Sequence, residues 1–264
     1  MYYSSKIKND KVNLLYGEPK MLEGLAVIEL DNPPVNALSL GVLEELYEIF
    51  QYLNDDKNLK LIQINHKNSH FSAGADLKER STMNDEDTLL YLEKINKCFT
   101  LLENIKVPTI CWIKGGAVLG GGAELALCCD FIIAVDLDGL EFKIGFPETS
   151  IGIIPGAGGT YRLLKKMNLS DAKYWIFSGK IFSIKEAFSA GFIDLIFDDM
   201  YKAASFVESF LSKSRTALIA AKASINKCYL ETDRKKQSLI ELEEYKKTLG
   251  SIEREEALKK YKEK

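Results

Sequence analysis

The stretch that decides the fold runs from Ala117 to Asp130 and reads AVLGGGAELALCCD. Three consecutive glycines lead into a segment that is apolar except for Glu124. Glycine is a poor helix former, and a carboxylate among Ala and Leu side chains loses its contact with water. A strand that runs into glycines opening a helix points free N–H groups outward at the positive end of a helix dipole. This junction suits a developing oxyanion.

The composition describes an ordinary globular protein. The chain has 264 residues, of which 46% are hydrophobic and 28% charged, with a formal net charge of -3. This balance gives no reason to expect a nucleic-acid partner. The start of the sequence lacks an apolar signal region, and no apolar run approaches the roughly 20 residues that cross a bilayer. We therefore expect a cytoplasmic protein that is not associated with a membrane.

Cysteine and histidine usage argues against metal and nucleophilic chemistry. The five cysteines form no CxxC pair and indicate buried free thiols in a reducing compartment. His66 and His70 are the only histidines, and no third ligand cluster lies near them. We interpret them as loop residues beside a strand end and predict no metal site. With so few histidines, the sequence gives little support for a Ser-His-Asp triad or a Cys-His pair.

Strands and helices alternate along the first part of the chain. Strands are predicted within 22–34 and at 60–65, 108–115 and 131–135, and helices within 35–56 and at 89–105 and 121–130. Ser39 is the predicted N-cap of the first helix. Its apolar positions recur at three and four residues, at Val42, Leu43, Leu46, Ile49, Phe50 and Leu53. The alternation predicts an α/β domain over residues 1–200, with a helical C-terminal extension over 201–264.

The glycine-rich stretches do not match phosphate-binding motifs. A Walker A loop requires a lysine after its glycines, and Gly121 is followed by Gly122 instead. In PGAGGTYR, Tyr161 occupies the third glycine position of the dinucleotide fingerprint. Neither loop therefore indicates a nucleotide-binding site.

Two further stretches repeat the pattern of small residues beside a carboxylate. In FSAGADLKE at 71–79, a small-residue turn precedes Asp76, which stands at the start of a predicted helical turn. In FPETSIGIIPGAGGT at 146–160, Glu148 precedes an apolar run, where desolvation raises the pKa of a carboxyl group. Taken alone, Glu124 is equally compatible with a helix cap, and the 73–75 turn with a common turn. Two carboxyl groups that face one substrate atom can divide proton donation and removal.

In combination, these motifs resemble the crotonase (enoyl-CoA hydratase/isomerase) superfamily. The matching stretches, in order, are NPPVNALS at 32–39, FSAGADLKE at 71–79, 107–130, 146–163 and 178–194. The resemblance implies a crotonase-like α/β spiral of repeating ββα units with a helical C-terminal trimerisation region. It also implies an acyl-CoA substrate, no cofactor beyond the CoA of the substrate, and a homotrimer or dimer of trimers. The chain departs from the family pattern at Val135 to Lys143, which is longer, and at Tyr261.

The resemblance also implies roles for individual residues. Glu124 and Glu148 would be the acid/base pair. Ala75 and Gly121 would supply the two backbone N–H groups of an oxyanion hole. The residues along the CoA path would be Ala73, Asp76 and Leu77.

These roles predict an enoyl-CoA hydratase that adds water across the α,β double bond. The alternatives are a double-bond isomerase, a dehydratase or decarboxylase acting on a carrier-protein-bound acyl chain of a polyketide pathway, and a non-catalytic relative that binds RNA or a protein. The aromatic residues Trp112, Tyr174 and Trp175 are interpreted as core, although Trp175 could border the pocket.

Overall fold

The computed structural model describes residues 2–18 and 22–262. The strands of these residues are β1 Tyr2–Lys8, β2 Val12–Glu18, β3 Leu25–Leu30, β4 Leu61–His66, β5 Thr109–Ile113, β6 Gly116–Leu119, β7 Phe131–Val135, β8 Phe142–Gly145, β9 Ile181–Phe182 and β10 Leu195–Phe197. The α-helices of the same residues are α1 Leu40–Asp55, α2 Leu77–Arg80, α3 Asp85–Glu103, α4 Gly121–Leu127, α5 Gly159–Arg162, α6 Leu169–Ser178, α7 Ile184–Ser189, α8 Met200–Leu211, α9 Arg215–Leu230, α10 Arg234–Lys246 and α11 Ile252–Lys262.

The strands form one large and one small sheet. The large sheet has the order β1-β2-β3-β4-β5-β7-β10, with antiparallel pairing from β1 to β3 and parallel pairing from β3 onward. The small sheet has the order β6-β8-β9. Along the chain, β6 follows β5 and β8 follows β7, so strands of the small sheet come between strands of the large sheet. The chain therefore passes repeatedly from one sheet to the other. The predicted crotonase-like α/β fold is confirmed.

The large sheet is buried on both faces, and the period-two alternation of its strands assigns residues to each face. In β3, Ala26 and Ile28 join the main core, which also contains the buried faces of α1, α3 and α4. Leu25 and Val27 point to the other face and pack in a second core. Helix α8 covers that second core with Ala203, Val207 and Leu211.

Helix α1 confirms the periodicity read from the sequence. All six predicted apolar residues are buried. The Ser39 side chain accepts a hydrogen bond from the Val42 amide at 3.4 Å, as predicted for an N-cap. A turn follows β7, in which the Leu140 amide donates to the carbonyl of Leu137. The longer segment that follows Val135 is thus accommodated before β8.

Several short strands are not predicted by the periodicity. Strand β6 has four residues beside glycines, and β9 and β10 have two and three. Runs of this length carry no period, so only pairing with distant strands defines them. The last strand predicted from the sequence is at 131–135, so β9 and β10 were missed. Tyr174 was also assigned wrongly to the core, since its side chain is exposed.

The helices after residue 200 contact the body of the same chain. The Lys222 ammonium of α9 lies 2.7 Å from the Asp130 carboxylate, at the end of the segment that contains α4. The Arg215 side chain donates to the carbonyl of Leu59. Within the described residues, no helix is both long and apolar enough to cross a membrane. The Tyr261 side chain lies outside the described part of the structure.

Candidate active site

Two glycine-containing turns are held side by side by backbone hydrogen bonds between the segments at Ser72 and Val118. The Ser72 amide donates to the carbonyl of Ala117, and the Leu119 amide donates to the carbonyl of Ser72, both at 3.0 Å. These bonds form an isolated parallel bridge between residues 46 positions apart in the chain. The bridge brings the turn at 73–75 next to the start of α4.

The amides of Ala75 and Gly121 lie close together at this junction. A β-carbon built on Gly121 would lie 3.6 Å from the Ala75 nitrogen, and one built on Gly74 would lie 3.2 Å from the Gly121 nitrogen. Gly121 is the first residue of α4, where an N–H group has no carbonyl one turn before it. Among residues 2–18 and 22–262, neither amide is matched to an acceptor. Two adjacent N–H donors can stabilise one developing oxyanion.

Glu124 lies one turn into α4 and is only 3% exposed. Its Oε1 accepts hydrogen bonds from the amides of Ala157 and Gly159, at 2.7 and 2.8 Å. Burial raises the pKa of Glu124, while these two amides and the Arg162 charge act in the opposite direction. The carboxyl group is therefore held in place by the PGAGG loop. The sequence of this loop by itself showed only that it does not match a dinucleotide-binding motif. A helix cap alone does not describe this geometry.

The buried Arg162 supports the loop that holds Glu124. Its Nη1 donates to the carbonyl of Ala157 at 2.6 Å, and its Nε donates to Glu103 at 2.9 Å. The Glu103 carboxylate lies 2.8 Å from Nη2 of the same guanidinium. Arg162 thus connects the loop to α3. No pattern in the sequence pointed to it, because its partner is 59 residues away.

Glu148 lies in the 3-10 helix Pro147–Ile151. Its Oε2 is shielded from solvent and has no hydrogen-bond partner in the described residues. Burial, together with the nearby Glu124 charge, raises the pKa of Glu148 from 4.5 to about 7, although a backbone hydrogen bond acts in the opposite direction. The direction agrees with the sequence prediction. At neutral pH this carboxyl group is poised to donate a proton.

Gly120 permits the close approach of Glu148 to the start of α4. It adopts a φ of 51°, in the left-handed region that favours glycine. A β-carbon built there would lie 2.9 Å from Oε1 of Glu148. The first of the three consecutive glycines is therefore required by its contact with a carboxyl group 28 residues later in the chain.

The two turns and both glutamates line one cavity of about 130 Å³. Ala73 and Leu77 also line it, and Leu77 is exposed on the outer side. Asp76 does not line the cavity, since its Oδ1 accepts from the amides of Lys78 and Glu79 and caps α2. The predicted helical start at Asp76 is confirmed, whereas a role in binding CoA stays a prediction for all three residues. The remaining lining consists mainly of apolar side chains from α3 and the loop after Glu148: Leu92, Ile95, Ile151, Ile153 and Ile154.

Two lining residues, Arg80 and Tyr91, were not predicted from the sequence. The Tyr91 hydroxyl donates to the carbonyl of Leu38 at 2.7 Å, and the Arg80 guanidinium lies over the Tyr91 ring. An arginine five residues beyond a small-residue turn gives no sequence signal, because its role depends on Tyr91, the neighbour that α3 supplies.

The histidines and Trp175 lie outside this cavity. His66 is buried, its Nε2 accepts from the Lys114 amide, and burial lowers its pKa to about 4. His70 accepts from the Ala117 amide through Nδ1. Trp175 stacks on Phe182 with ring centroids 4.1 Å apart. The first two act in backbone hydrogen bonding, and Trp175 is a core residue.

Comparisons with known proteins show the family to which the chain belongs. Residues 20–264 match the family model described as enoyl-CoA hydratase/isomerase. The chain is 35% identical over 272 residues to the mitochondrial methylglutaconyl-CoA hydratase of Mus musculus, covering 99% of this chain and 84% of the relative. It is 38% identical over 193 residues to the enoyl-CoA isomerase/hydratase fer4 of Mycosarcoma maydis, covering 69% of each.

A crystal structure of an enoyl-CoA hydratase from Bacillus anthracis superposes with a TM-score of 0.87 at 30% identity, covering 96% of each chain. The match extends over the motifs that build the cavity and over the C-terminal helices. This chain therefore belongs to the enoyl-CoA hydratase/isomerase family.

Proposed function

We propose that the protein is an enoyl-CoA hydratase that adds water across the α,β double bond of a 2-enoyl-CoA. The observation that carries the proposal is the shared cavity. Two acceptor-free amides, one ordered carboxyl group and one carboxyl group of raised pKa line the same small space. This set of groups fits a reaction that develops charge on a thioester oxygen and moves two protons.

In the proposed mechanism, the amides of Ala75 and Gly121 hold the thioester oxygen. Their donation draws electrons from the double bond, makes Cβ electrophilic and stabilises the enolate that forms. Glu124 takes a proton from water, whose oxygen forms the bond to Cβ. Glu148 delivers a proton to Cα as the enolate electrons return. Water thus adds in full, and no redox cofactor is consumed.

The two glutamates suit different roles because their oxygens have different partners. Oε1 of Glu124 is occupied by two amides, so Oε2 is the oxygen that would hold the water. Glu148 has a pKa of about 7 and is therefore partly protonated near neutral pH, as a general acid must be. Sharing of these roles across one water is compatible with the same geometry.

The proposal is tested by Glu148→Gln, with hydration of crotonyl-CoA as the assay. We expect hydration to fall by about 10²- to 10⁴-fold, the usual contribution of a positioned acid or base. Glu48→Gln, which alters an exposed carboxylate on α1, is the matched control and should keep wild-type activity. Near-normal turnover by Glu148→Gln would reject the assigned role.

An isomerase is the second candidate, because Glu148, with its unpartnered Oε2, can accept and return a proton by itself. An isomerase needs one carboxyl group to move a proton between two carbons and requires no activated water. Glu124→Gln separates the two functions when 3-enoyl-CoA isomerisation is measured beside crotonyl-CoA hydration. Loss of hydration with retained isomerisation would assign Glu124 to water activation. Isomerisation without hydration in the wild type would make the isomerase the main activity.

A homotrimer or dimer of trimers, which the resemblance implies, is part of the proposal. Large apolar side chains are exposed on α6 and on the loop beside the cavity, with Phe177 at 72% and Ile154 at 68% exposure. Contact between subunits would remove such surface from water. Light scattering after size exclusion tests the state, and a monomeric mass would reject it.

A further inference from the structure

We propose that Arg80 binds a carboxylate at the far end of the substrate acyl group. The preferred substrate would then be a short 2-enoyl thioester that carries a negative charge on its acyl chain. This inference rests on the proposed function, because it uses the same cavity. It names the substrate class that the cavity selects.

Arg80 is presented to the cavity by the end of α2 and by α3. It is the last residue of α2, and its guanidinium carbon lies 4.8 Å from the centroid of the Tyr91 ring. Tyr91 is buried and anchored through its hydroxyl to Leu38. A guanidinium close to a fixed aromatic ring is attracted to it by a cation–π interaction, and its N–H groups that do not face the ring can donate to a ligand.

The Arg80 guanidinium has no acceptor among the residues that the structure describes. Nη1 of Arg80 is shielded from solvent and lacks a hydrogen-bond partner, and no carboxylate of the described residues forms an ion pair with Arg80. The acidic residues of its own turn are engaged elsewhere. Asp76 caps α2, and Oε2 of Glu79 accepts from the Leu40 amide at 3.0 Å. Arg162, in contrast, is paired with Glu103. A shielded, unpaired donor of a charged group is unfavourable unless a ligand satisfies it.

The chemistry of the cavity favours a carboxylate for this position. Arg80 is the single cation in the described lining, which otherwise contains apolar side chains and the two glutamates. Arginine binds a carboxylate through two parallel N–H donors, with a geometry that lysine does not offer. Glu124 and Glu148 would repel a second negative charge elsewhere in the same cavity. A charged acyl chain is therefore accepted only with its carboxylate directed to Arg80.

Two sources could supply an anion to Arg80, namely the acyl chain and the phosphates of CoA. The phosphates are separated from the thioester by the whole pantetheine arm, whereas Arg80 shares a cavity of about 130 Å³ with the acid/base residues. A short acyl chain that reacts between the glutamates brings its far end within this small volume. The position thus favours the acyl carboxylate.

Binding of saturated thioesters tests the inference without requiring catalysis. Glutaryl-CoA and hexanoyl-CoA have acyl groups of similar length, and neither can be hydrated. By calorimetry, we expect the wild type to bind glutaryl-CoA about 10- to 150-fold more tightly, the range for a hydrogen bond to a charged group. Arg80→Met should remove this preference and leave hexanoyl-CoA binding within about threefold of wild type, since a methionine keeps the apolar stem.

Lys97→Gln is the matched control. The Lys97 ammonium also lies over a tyrosine ring, that of Tyr47 at 5.1 Å, but it is exposed and outside the cavity. The preference for glutaryl-CoA should survive in this variant. Loss of the preference in Lys97→Gln as well would show that overall charge, rather than Arg80, produces it, and would overturn the inference.

The remaining outcomes are decisive in either direction. Equal affinity of the wild type for the two thioesters overturns the inference, even if Arg80→Met does not fold. An equal loss of both ligands in Arg80→Met assigns Arg80 to CoA phosphate or to the framework and also overturns it. Hydration of crotonyl-CoA by the wild type is measured separately. Absence of hydration both with crotonyl-CoA and with glutaconyl-CoA, the 2-enoyl thioester that carries the terminal carboxylate, defeats the proposed function, while a glutaryl-CoA preference that depends on Arg80 would still stand.

Discussion

The raised pKa of Glu148 predicts a pH-dependent gain in stability when its carboxyl group is replaced by an amide. Glu148→Gln keeps the shape of the protonated side chain and cannot ionise. The wild-type carboxyl group is shielded, has an unpartnered oxygen and lies near Glu124. The folded protein therefore disfavours its ionised form, whereas the unfolded chain leaves it in water.

The magnitude follows from linkage between protonation and folding. The pKa of Glu148 rises from 4.5 to about 7 on folding, so the protonated form is favoured in the native state. Stability from this group is fully present below about pH 4.5 and is lost as the pH rises through about 7. At about 1.4 kcal/mol per pKa unit the loss is at most about 3 kcal/mol, and solvent screening of a partly exposed group reduces it to about 1–2 kcal/mol.

Urea unfolding at pH 4 and pH 8, at one protein concentration, measures this effect. The difference in unfolding free energy between Glu148→Gln and wild type should increase by about 1–2 kcal/mol in favour of the variant from pH 4 to pH 8. Glu48→Gln, on the exposed side of α1, should show no such change. A difference for Glu148→Gln that is the same at both pH values, or that decreases, would refute the account of Glu148 as a shielded carboxyl group.

Three further predictions concern the same site. Glu124→Ala should be less stable than Glu124→Gln by about 2–4 kcal/mol in urea unfolding, because only the alanine leaves two buried amides without an acceptor; equal stabilities would contradict the anchoring of the carboxyl group. Gly122→Ala should lower the free energy of unfolding by about 3 kcal/mol or more, since its β-carbon would lie 2.5 Å from the carbonyl oxygen of Ser72. Gly139→Ala, at a φ of 84° and with open space around it, should lower the free energy of unfolding by about 1–2 kcal/mol. The reverse order of the two variants in thermal unfolding would disprove the close contact. Hydration of crotonyl-CoA should decrease about tenfold per pH unit above about pH 7, as Glu148 loses its proton; a rate that rises through this range would exclude Glu148 as the acid.

The elements with strong local signals were predictable. The periodicity of α1, its Ser39 cap and the glycine-to-helix junction before Glu124 depend on residues within a few positions of each other. Glu148 was also predicted to have a raised pKa, because a carboxylate before an apolar run is commonly desolvated. Strands β9 and β10 were missed, since two or three residues have no period until a distant strand pairs with them.

The order of the motifs along the chain was enough to predict the fold class and the family. Each motif specifies a local backbone conformation, which can be recognised without knowing the segments that pack against it. The tertiary structure decided the state of each functional group. It placed the Gly159 amide on Glu124 from 35 residues away and left Oε2 of Glu148 unpartnered. It also directed an unpaired Arg80 toward the same cavity. The burial, the hydrogen-bond partners and the charged neighbours of each group in this site depend on segments that are distant in the chain. No single stretch of sequence therefore specifies them.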